Sequence, residues 1–136
     1  MYGVSKINIE PSLMMISVQD VEFKGNSLAR YLQIFADTGV VVDMISQSAP
    51  IDDLINISFT APATDLDDAK KILAAFQEKH PGIGVIINEQ VAKLSVVGIG
   101  MRSQSGVAAK FFVLLADNNI QMLMITTSEI RISCII

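Results

Sequence analysis

The feature that most constrains the fold of this chain is an internal repeat. At an offset of 80 residues, Ala36-Asp37 aligns with Ala116-Asp117. At the same offset, Met44-Ile45 aligns with Met124-Ile125, and the match runs without a gap from residue 14 to residue 48. Because one fixed offset relates similar residues in the same order, the sequence indicates two copies of one structural unit.

Both copies have the same predicted order of elements, which is strand, loop, helix, strand and strand. A second helix and a fourth strand follow in the first copy alone. Apolar runs and alternation predict strands over 13–18, 40–46, 54–60 and 83–88 in the first copy and over 92–97, 120–125 and 130–136 in the second. Apolar residues at helical spacing predict three helices, with Ser27 as the expected cap of the first, Thr64 or Asp65 as the cap of the second, and Val107 as the start of the third.

The order strand-helix-strand-strand-helix-strand is that of the split βαβ, or ferredoxin-like, unit. We therefore predict an α+β fold of two such units, in which the second unit lacks its final helix. A further strand, roughly over 4–10, precedes the first copy and is expected to fill the gap in the sheet of the second. The predicted domains are residues 12–90 and residues 91–136, the latter together with residues 1–11.

The composition is that of a folded domain rather than a disordered segment. Apolar residues make up 51% of the 136 residues and charged residues 18%, so the chain has enough apolar surface for a core. The net charge of −4 repels the phosphates of nucleic acids and of acidic membranes, so we expect neither as a partner. No stretch resembles a signal peptide or a spanning helix and Cys134 is the one cysteine, so we expect a cytoplasmic protein without an internal disulfide.

No set of residues in the sequence predicts catalysis. Gly98 and Gly100 begin a pattern similar to a dinucleotide-binding loop, but Ser103 stands where the third glycine is needed. The one histidine, His80, lies at a predicted helix end, where a cation is favourable. Cys134 lies in an apolar strand, where a thiol is unreactive. Since one histidine and one cysteine form no metal cluster within a chain, we predict no enzyme activity, no metal and no cofactor.

The polar loops that lead into the first helix of each copy are the candidate binding sites. Free backbone N–H groups at a helix start, together with the helix dipole, favour a carboxylate. Near the first loop, over 19–27, Asp20 and Asp43 are candidate partners for an ammonium group, and the second loop covers 100–106. A carboxylate beside an ammonium is typical of a free amino acid, so these residues predict an amino-acid ligand. The alternative for Asp43 is that it faces solvent on the open side of the sheet.

Two segments carry a resemblance to a known family. Gly100-Met-Arg-Ser-Gln-Ser-Gly-Val-Ala-Ala-Lys110 and Thr127-Ser-Glu-Ile-Arg-Ile-Ser133 resemble the second ACT repeat of the aspartokinase regulatory region. Residues 42–47 and 56–60 are similar to the matching parts of the first repeat. The resemblance extends over nearly the whole chain and implies tandem ACT domains.

In that family, tandem ACT domains bind end-product amino acids and inhibit the kinase domain that precedes them. The resemblance therefore implies a regulatory module without catalysis of its own, which binds lysine or threonine. It also implies a homodimer through the ACT domains, with an aspartate kinase catalytic chain or domain as partner. Effector contacts come from both chains of such a dimer. The resemblance assigns Asp20, Asn26, Leu28, Asp43 and Gln47 to one chain and Ala108, Gln121, Met122 and Ser128 to the other, and the first loop adds Gly25 and Ser27.

Departures from the family pattern leave two other functions open. The first loop is longer than the Asp-x-Pro-Gly turn of the family and lacks proline, and Asn26 stands at the usual glycine position. This difference favours an assembly or dimerisation module whose ligand site has decayed. The other alternative is a free-standing amino-acid sensor for another enzyme. The sequence also ends before the final helix of the family, and we expect the uncovered sheet face to favour association.

Overall fold

The structure, a computed structural model, describes residues 6–98, 106–128 and 130–136. These residues form six strands and three α-helices, which confirms the predicted α+β class. In chain order the elements are β1 (Lys6–Glu22), α1 (Ser27–Asp37), β2 (Ile45–Gln47), β3 (Leu54–Pro62), α2 (Leu66–Lys79), β4 (Gly84–Val97), α3 (Val107–Asp117), β5 (Met124–Thr127) and β6 (Arg131–Ile135). A 3₁₀ turn, Ala63–Asp65, precedes α2.

The chain divides into two compact units. The first unit is Ser12–Gln90, and the second unit contains residues 6–11 and the described residues from 91 to 136. The long strands β1 and β4 each continue from one unit into the other, since the division at residues 11–12 falls within β1 and that at residues 90–91 falls within β4.

Segments that the sequence separates into two strands form single long strands in the structure. The predicted strand over 13–18 and the described part of that over 4–10 both lie in β1, and the two predicted over 83–97 both lie in β4. Pro11 lies between the two predicted strands over 4–10 and 13–18. In the structure, β1 runs through Pro11 and Ser12. Ser12 has a φ of 64°, and the pairing of β1 with β3 begins at Leu13.

In the first unit, the strands lie in the order β2-β3-β1-β4. The connections through α1 and α2 make this the ferredoxin-like arrangement that the sequence predicts. The pairs β1–β3 and β2–β3 are antiparallel, and Ile16 lies opposite Phe59 while Val18 lies opposite Ile57. Both helices pack on the sheet face that carries these four residues.

The core of the first unit lies between this sheet face and the two helices. Phe35 of α1 and Phe59 of β3 are fully buried and meet edge to face, with ring centroids 5.0 Å apart. From α2, Ala69 and Leu73 are buried, and they belong to the predicted apolar stripe. The other buried residues of this core are Met14, Ile16, Val18, Val21, Tyr31, Val40, Ile55, Ile57, Ala61 and Ile83.

The start of α2 differs from the prediction. Asp65 occupies the N-cap position, but its side chain makes no capping hydrogen bond to the helix. The predicted side-chain cap is therefore wrong. The chain instead enters α2 through the 3₁₀ turn, where the Leu66 N–H donates to the Ala63 carbonyl. Asp67 and Asp68 lie in the first turn of α2, where the positive end of the helix dipole favours acidic side chains.

In the second unit, the strands lie in the order β1-β4-β6-β5, with antiparallel β4–β6 and β5–β6 pairs. Val107, Phe111 and Leu115 of α3 pack against the sheet, where they contact a cluster that includes Ile132. Among the described residues of this unit, α3 is the one α-helix, which agrees with the predicted lack of a final helix. β1 is the neighbour of β4, and its residues 6–11 belong to this unit.

Pairs of hydroxyl groups show how the two copies correspond. In the first unit Ser17 lies opposite Ser58, and in the second unit Ser95 lies opposite Ser133, with hydroxyl oxygens 3.1 Å and 2.8 Å apart, respectively. Ser17 therefore corresponds to Ser95, at an offset of 78 residues, whereas α1 and α3 differ by 80. The ungapped match is thus wrong over the first strand. Because a shift of two residues keeps the same face buried, the apolar pattern does not reveal it.

The predicted strands over 40–46 and 120–125 are shorter in the structure and begin later along the chain. After α1, the Val40 N–H donates to the Phe35 carbonyl, and Gly39 between them has a φ of 84°. These residues satisfy the last carbonyls of the helix. The residues after α1 are therefore used to end the helix before regular pairing with β3 begins, and β2 is shorter than predicted.

Phe59→Ala is expected to destabilise the first unit by about 3–5 kcal/mol, because it leaves a cavity beside Phe35 in a fully buried site. Chemical denaturation followed by circular dichroism measures this change. Phe23→Ala is the matched control, since Phe23 is 47% exposed, and its effect is expected to be about 1 kcal/mol, because much of its ring is already in water. Equal effects of the two substitutions would contradict this description of the core.

Candidate functional site

The loop between β1 and α1 closes on itself through Ser27. Ser27 is the first residue of α1, and Asn26 takes the N-cap position without a side-chain hydrogen bond to the helix. The Ser27 hydroxyl donates to the Glu22 carbonyl at 2.8 Å and accepts from the Lys24 N–H at 3.3 Å. The prediction that Ser27 caps α1 is therefore wrong, because its hydroxyl is used to close the loop.

An ion pair lies in the same loop. Lys24 Nζ is 3.0 Å from Glu22 Oε2, and both side chains are largely exposed. The hydrogen bond from Lys24 and its positive charge hold the pKa of the Glu22 carboxyl below its ordinary value, and the charge of His80 acts in the same direction. Because exposed ion pairs contribute little to global stability, the effect of this pair is local to the loop.

An open cavity of about 320 Å³ lies beside this loop within the first unit, and we call it the α1–α2 groove. Asp20 and Ser27 line it, and both belong to the predicted site. Tyr31 and Phe76 also line it, with ring centroids 4.2 Å apart. Burial raises the pKa of Tyr31 above the ordinary value of a phenol.

Three basic residues of the groove lie outside the predicted loop over 19–27. These are Arg30, Lys79 and His80. Arg30 belongs to α1, whereas Lys79 and His80 lie at the end of α2. No local pattern links residues so far apart in the sequence. The one signal for their proximity is the ferredoxin-like order itself, which places α1 and α2 on the same face of one sheet.

The backbone at Asp20 is irregular. The register of the β1–β3 pair shifts between Val18 and Val21, which makes a β-bulge at this end of β1. Within the bulge, Asp20 has a φ of 59°, and its N–H donates to Asn56 Oδ1 at 3.1 Å. A bulge changes the direction of the side chains that it carries, so the strand pairing itself sets where Asp20 lies.

Asp43 and Gln47 lie elsewhere in the first unit and do not line the α1–α2 groove. Gln47 is the last residue of β2 and is exposed. Asp43 precedes β2, and its N–H donates to the Thr60 carbonyl at 3.0 Å. Asp43 is exposed, as the solvent-facing alternative predicts. The structure thus brings Asp20 and Ser27 together and places Asp43 and Gln47 on a separate stretch of chain.

The remaining predicted residues of the first unit differ in their exposure. Gly25 and Asn26 are exposed in the loop, whereas Leu28 is half-buried and packs against the core. A Cβ added at Gly25 meets no atom within 4 Å. The loop therefore has no steric need for glycine at this position.

The predicted residues of the second unit lie on different elements. Ala108 is half-buried in α3 and packs against the core of the unit. Gln121 and Met122 precede β5 and line an open cavity of about 520 Å³. Ser128 follows β5 and is exposed, and its N–H donates to the Arg131 carbonyl at 2.8 Å. Residues 100–105, which are most of the predicted second loop, lie outside the described residues.

The thiol of the chain lies in an unreactive environment. Cys134 is fully buried in β6, and burial raises the pKa of its thiol, which disfavours the reactive thiolate. Over residues 6–98, 106–128 and 130–136, no cluster of three or more His, Cys, Asp or Glu residues is arranged to hold a metal ion. No helix in these ranges combines the length and the apolar character needed to cross a bilayer.

Known proteins are similar to this chain in both fold and sequence. A family model described as "ACT domain" matches residues 94–136. The aspartokinase of Helicobacter pylori (strain ATCC 700392 / 26695) is 36% identical over 133 residues, which cover 98% of this chain and 32% of that protein. A crystal structure of aspartokinase alpha and beta subunits contains a chain that is 36% identical, with a TM-score of 0.84 and coverage of 97% of this chain and 86% of that one. This chain belongs to the regulatory ACT domains of the aspartate kinase family.

This ACT pair is similar to a regulatory subunit of aspartate kinase over almost the whole length of both chains. The regulatory subunit of aspartate kinase from Thermus flavus is 29% identical, with a TM-score of 0.86 and coverage of 98% of this chain and 88% of that one. The ACT pair spans about a third of the length of the curated aspartokinases that it matches. It corresponds to the regulatory part of the enzyme and not to the catalytic domain, which confirms the predicted family and fold.

Lys24→Met is expected to raise the pKa of Glu22 towards the ordinary value of a glutamate, because it removes a hydrogen bond and a positive charge. NMR titration of the side-chain carboxyl carbon measures this pKa. The lowered pKa means that the pair stabilises the folded loop above the ordinary glutamate pKa, and that this contribution is lost as the pH falls through the lowered value. Lys70→Met is the control, since Lys70 pairs with Glu89 at 3.3 Å. A Glu22 pKa that is equal in Lys24→Met and the wild type would disprove the proposed cause.

Proposed function

We propose that this ACT pair is the amino-acid-binding regulatory module of an aspartate kinase and that it mediates feedback inhibition by lysine, threonine or both. The observation that carries the proposal is the similarity to chains of aspartate kinase regulatory and subunit structures over 97–98% of this chain. A regulatory chain acts on its enzyme through what it binds. The chemistry of the candidate site therefore determines which effector fits.

The predicted site suits the two charged groups of a free amino acid. Asp20 and Asp43 offer carboxylates to an ammonium group. The start of α1 offers backbone N–H groups and the positive end of the helix dipole to a carboxylate. The Ser27 N–H donates to the Lys24 carbonyl at 3.0 Å. Asn26 makes no side-chain hydrogen bond to the N–H groups that follow, which leaves those groups to water or a ligand. A lysine effector brings a second ammonium group, for which a second acidic side chain is a suitable partner.

In this proposal, the effector site is completed by a second copy of the chain. Asp43 and Gln47 are exposed and lie outside the α1–α2 groove, so the first unit alone does not enclose them together with Asp20. Gln121 and Met122 line an open surface of the second unit, which is available to contact an effector held by another copy. The proposed contacts of one copy are Asp20, Gly25, Asn26, Ser27, Leu28, Asp43 and Gln47, and those of the other copy are Ala108, Gln121, Met122 and Ser128.

The proposed mechanism is a shift of population between two states. An effector held between two copies binds their associated arrangement more tightly than their separated one, so it raises the population of the associated arrangement. In that arrangement the ACT pair inhibits an aspartate kinase catalytic chain or domain. Coupling free energies of this kind are typically about 1–3 kcal/mol, which corresponds to a change in affinity of about 5–150-fold.

One observation favours a second candidate function, that of an assembly module whose ligand site has decayed. Three polar side chains of the first loop, those of Glu22, Lys24 and Ser27, are already used within the loop. The Ser27 hydroxyl bonds to Glu22 and Lys24, and the Lys24 ammonium pairs with the Glu22 carboxylate. A loop that satisfies its own polar groups has fewer of them to offer an effector. Such a module associates with a partner chain without binding any amino acid.

A thermal-shift screen against the twenty amino acids distinguishes these two functions. A ligand that binds only the folded state raises the melting temperature, so lysine, threonine or both are expected to raise it. The D-enantiomers are the control, because they carry the same charges with a different arrangement. A flat response to all twenty amino acids, from folded protein that still self-associates, would support the assembly module instead.

Asp43→Ala is expected to weaken binding of the effector found in that screen by about tenfold, because it removes one hydrogen bond to a charged group. Isothermal titration calorimetry measures the dissociation constant. Asp67→Ala is the matched control, since Asp67 is exposed in the first turn of α2 and lies outside the proposed site. If Asp43→Ala binds the effector as tightly as the wild type, Asp43 is not part of the site.

A further inference from the structure

Asn56 lies opposite the bulge in β1. Val18 is paired with Ile57 and Val21 with Ile55, so β1 uses one residue more than β3 over this stretch. Asn56 lies between the two paired residues of β3. At such a position the regular backbone hydrogen bonds between the strands are interrupted, and another acceptor is needed for a free N–H group of the bulge.

The side chain of Asn56 supplies that acceptor. The Asp20 N–H donates to Asn56 Oδ1 at 3.1 Å. Asp20 has a φ of 59°, a left-handed conformation that is strained for a residue with a side chain, although Asp and Asn tolerate it better than most. A specific hydrogen bond to the neighbouring strand therefore helps to hold Asp20 in this conformation.

The main chain of Asn56 bonds to Ser48, on the side of β3 that faces β2. The Ser48 N–H donates to the Asn56 carbonyl, and the Asn56 N–H donates to Ser48 Oγ, both at 2.9 Å. Ser48 directly follows Gln47, the last residue of β2. Asn56 thus connects the two segments that carry Asp20 and Gln47, which are 27 residues apart in the sequence.

We propose that Asn56 is a positioning residue of the effector site. Its carboxamide oxygen fixes the backbone of Asp20, and its main chain holds the segment of Gln47, so that one residue sets the separation of two effector contacts. Asn56 acts through these residues and does not itself contact the effector. The inference rests on the proposed function, since Asp20 and Gln47 are contacts only if an amino acid binds there.

Three variants test this role. Asn56→Ala removes the acceptor, Asn56→Asp keeps an oxygen acceptor at the same position, and Ser17→Ala removes the hydroxyl pair with Ser58 from the same two strands without changing the bulge. Calorimetric titration with lysine and threonine gives the dissociation constants. Hydrogen exchange of the Asp20 amide, followed by NMR in the unliganded proteins, reports the hydrogen bond independently of any ligand.

We expect Asn56→Ala to weaken effector binding by roughly five- to tenfold, as for the loss of one ordinary hydrogen bond, and to speed exchange of the Asp20 amide. Asn56→Asp is expected to retain both a slow Asp20 amide and most of the affinity, and Ser17→Ala is expected to match the wild type in both.

Two outcomes would overturn the positioning role alone. One is unchanged affinity in Asn56→Ala while the wild type binds. The other is an Asn56→Asp protein that keeps a slow Asp20 amide but binds as weakly as Asn56→Ala, since that result makes the carboxamide nitrogen a direct contact. If the wild type binds neither amino acid, the proposed function is wrong and the inference is wrong with it.

Discussion

The antiparallel pairing of β1 with β3 is the interaction on which the rest of the first unit depends. It places Ile16 opposite Phe59 and Val18 opposite Ile57, on the face that both helices cover. Removal of this apolar surface from water is the dominant driving force for such packing. The same pairing is interrupted by the bulge at Asp20 and continues from Val21 onwards. The geometry of the candidate site is therefore a consequence of the register that builds the core.

The helices and the order of the elements are predictable from the sequence, and the strand boundaries are less so. α2 and α3 carry apolar residues at helical spacing, so the positions predicted for their first residues match the structure closely. Strand signals are weaker, because Pro11 interrupts the pattern of β1 without ending the strand. The sequence does not show that the first strands of the two copies correspond at a different offset from the helices. A shift of two residues at Ser17 keeps the same face of the strand buried, so the apolar pattern is unchanged.

The candidate site is predictable where it is local and unpredictable where it depends on packing. Asp20 and the loop that follows it are identified from their position before a helix. Arg30 and His80 line the same groove, and they do so only because α1 and α2 lie on one face of the sheet. Asn56 appears in the sequence as a polar residue in an alternating strand, and nothing in that pattern indicates that its side chain bonds to a bulge in the neighbouring strand.

In the proposed function, a free amino acid binds at the end of β1 and beside β2. The most direct test is to follow the backbone amides of the isotopically labelled chain by NMR while lysine or threonine is added. Binding at this site is expected to give saturable shifts that are concentrated at residues 20–28 and 43–47. Saturable shifts confined to other parts of the chain, or no shifts at millimolar amino acid, would contradict it.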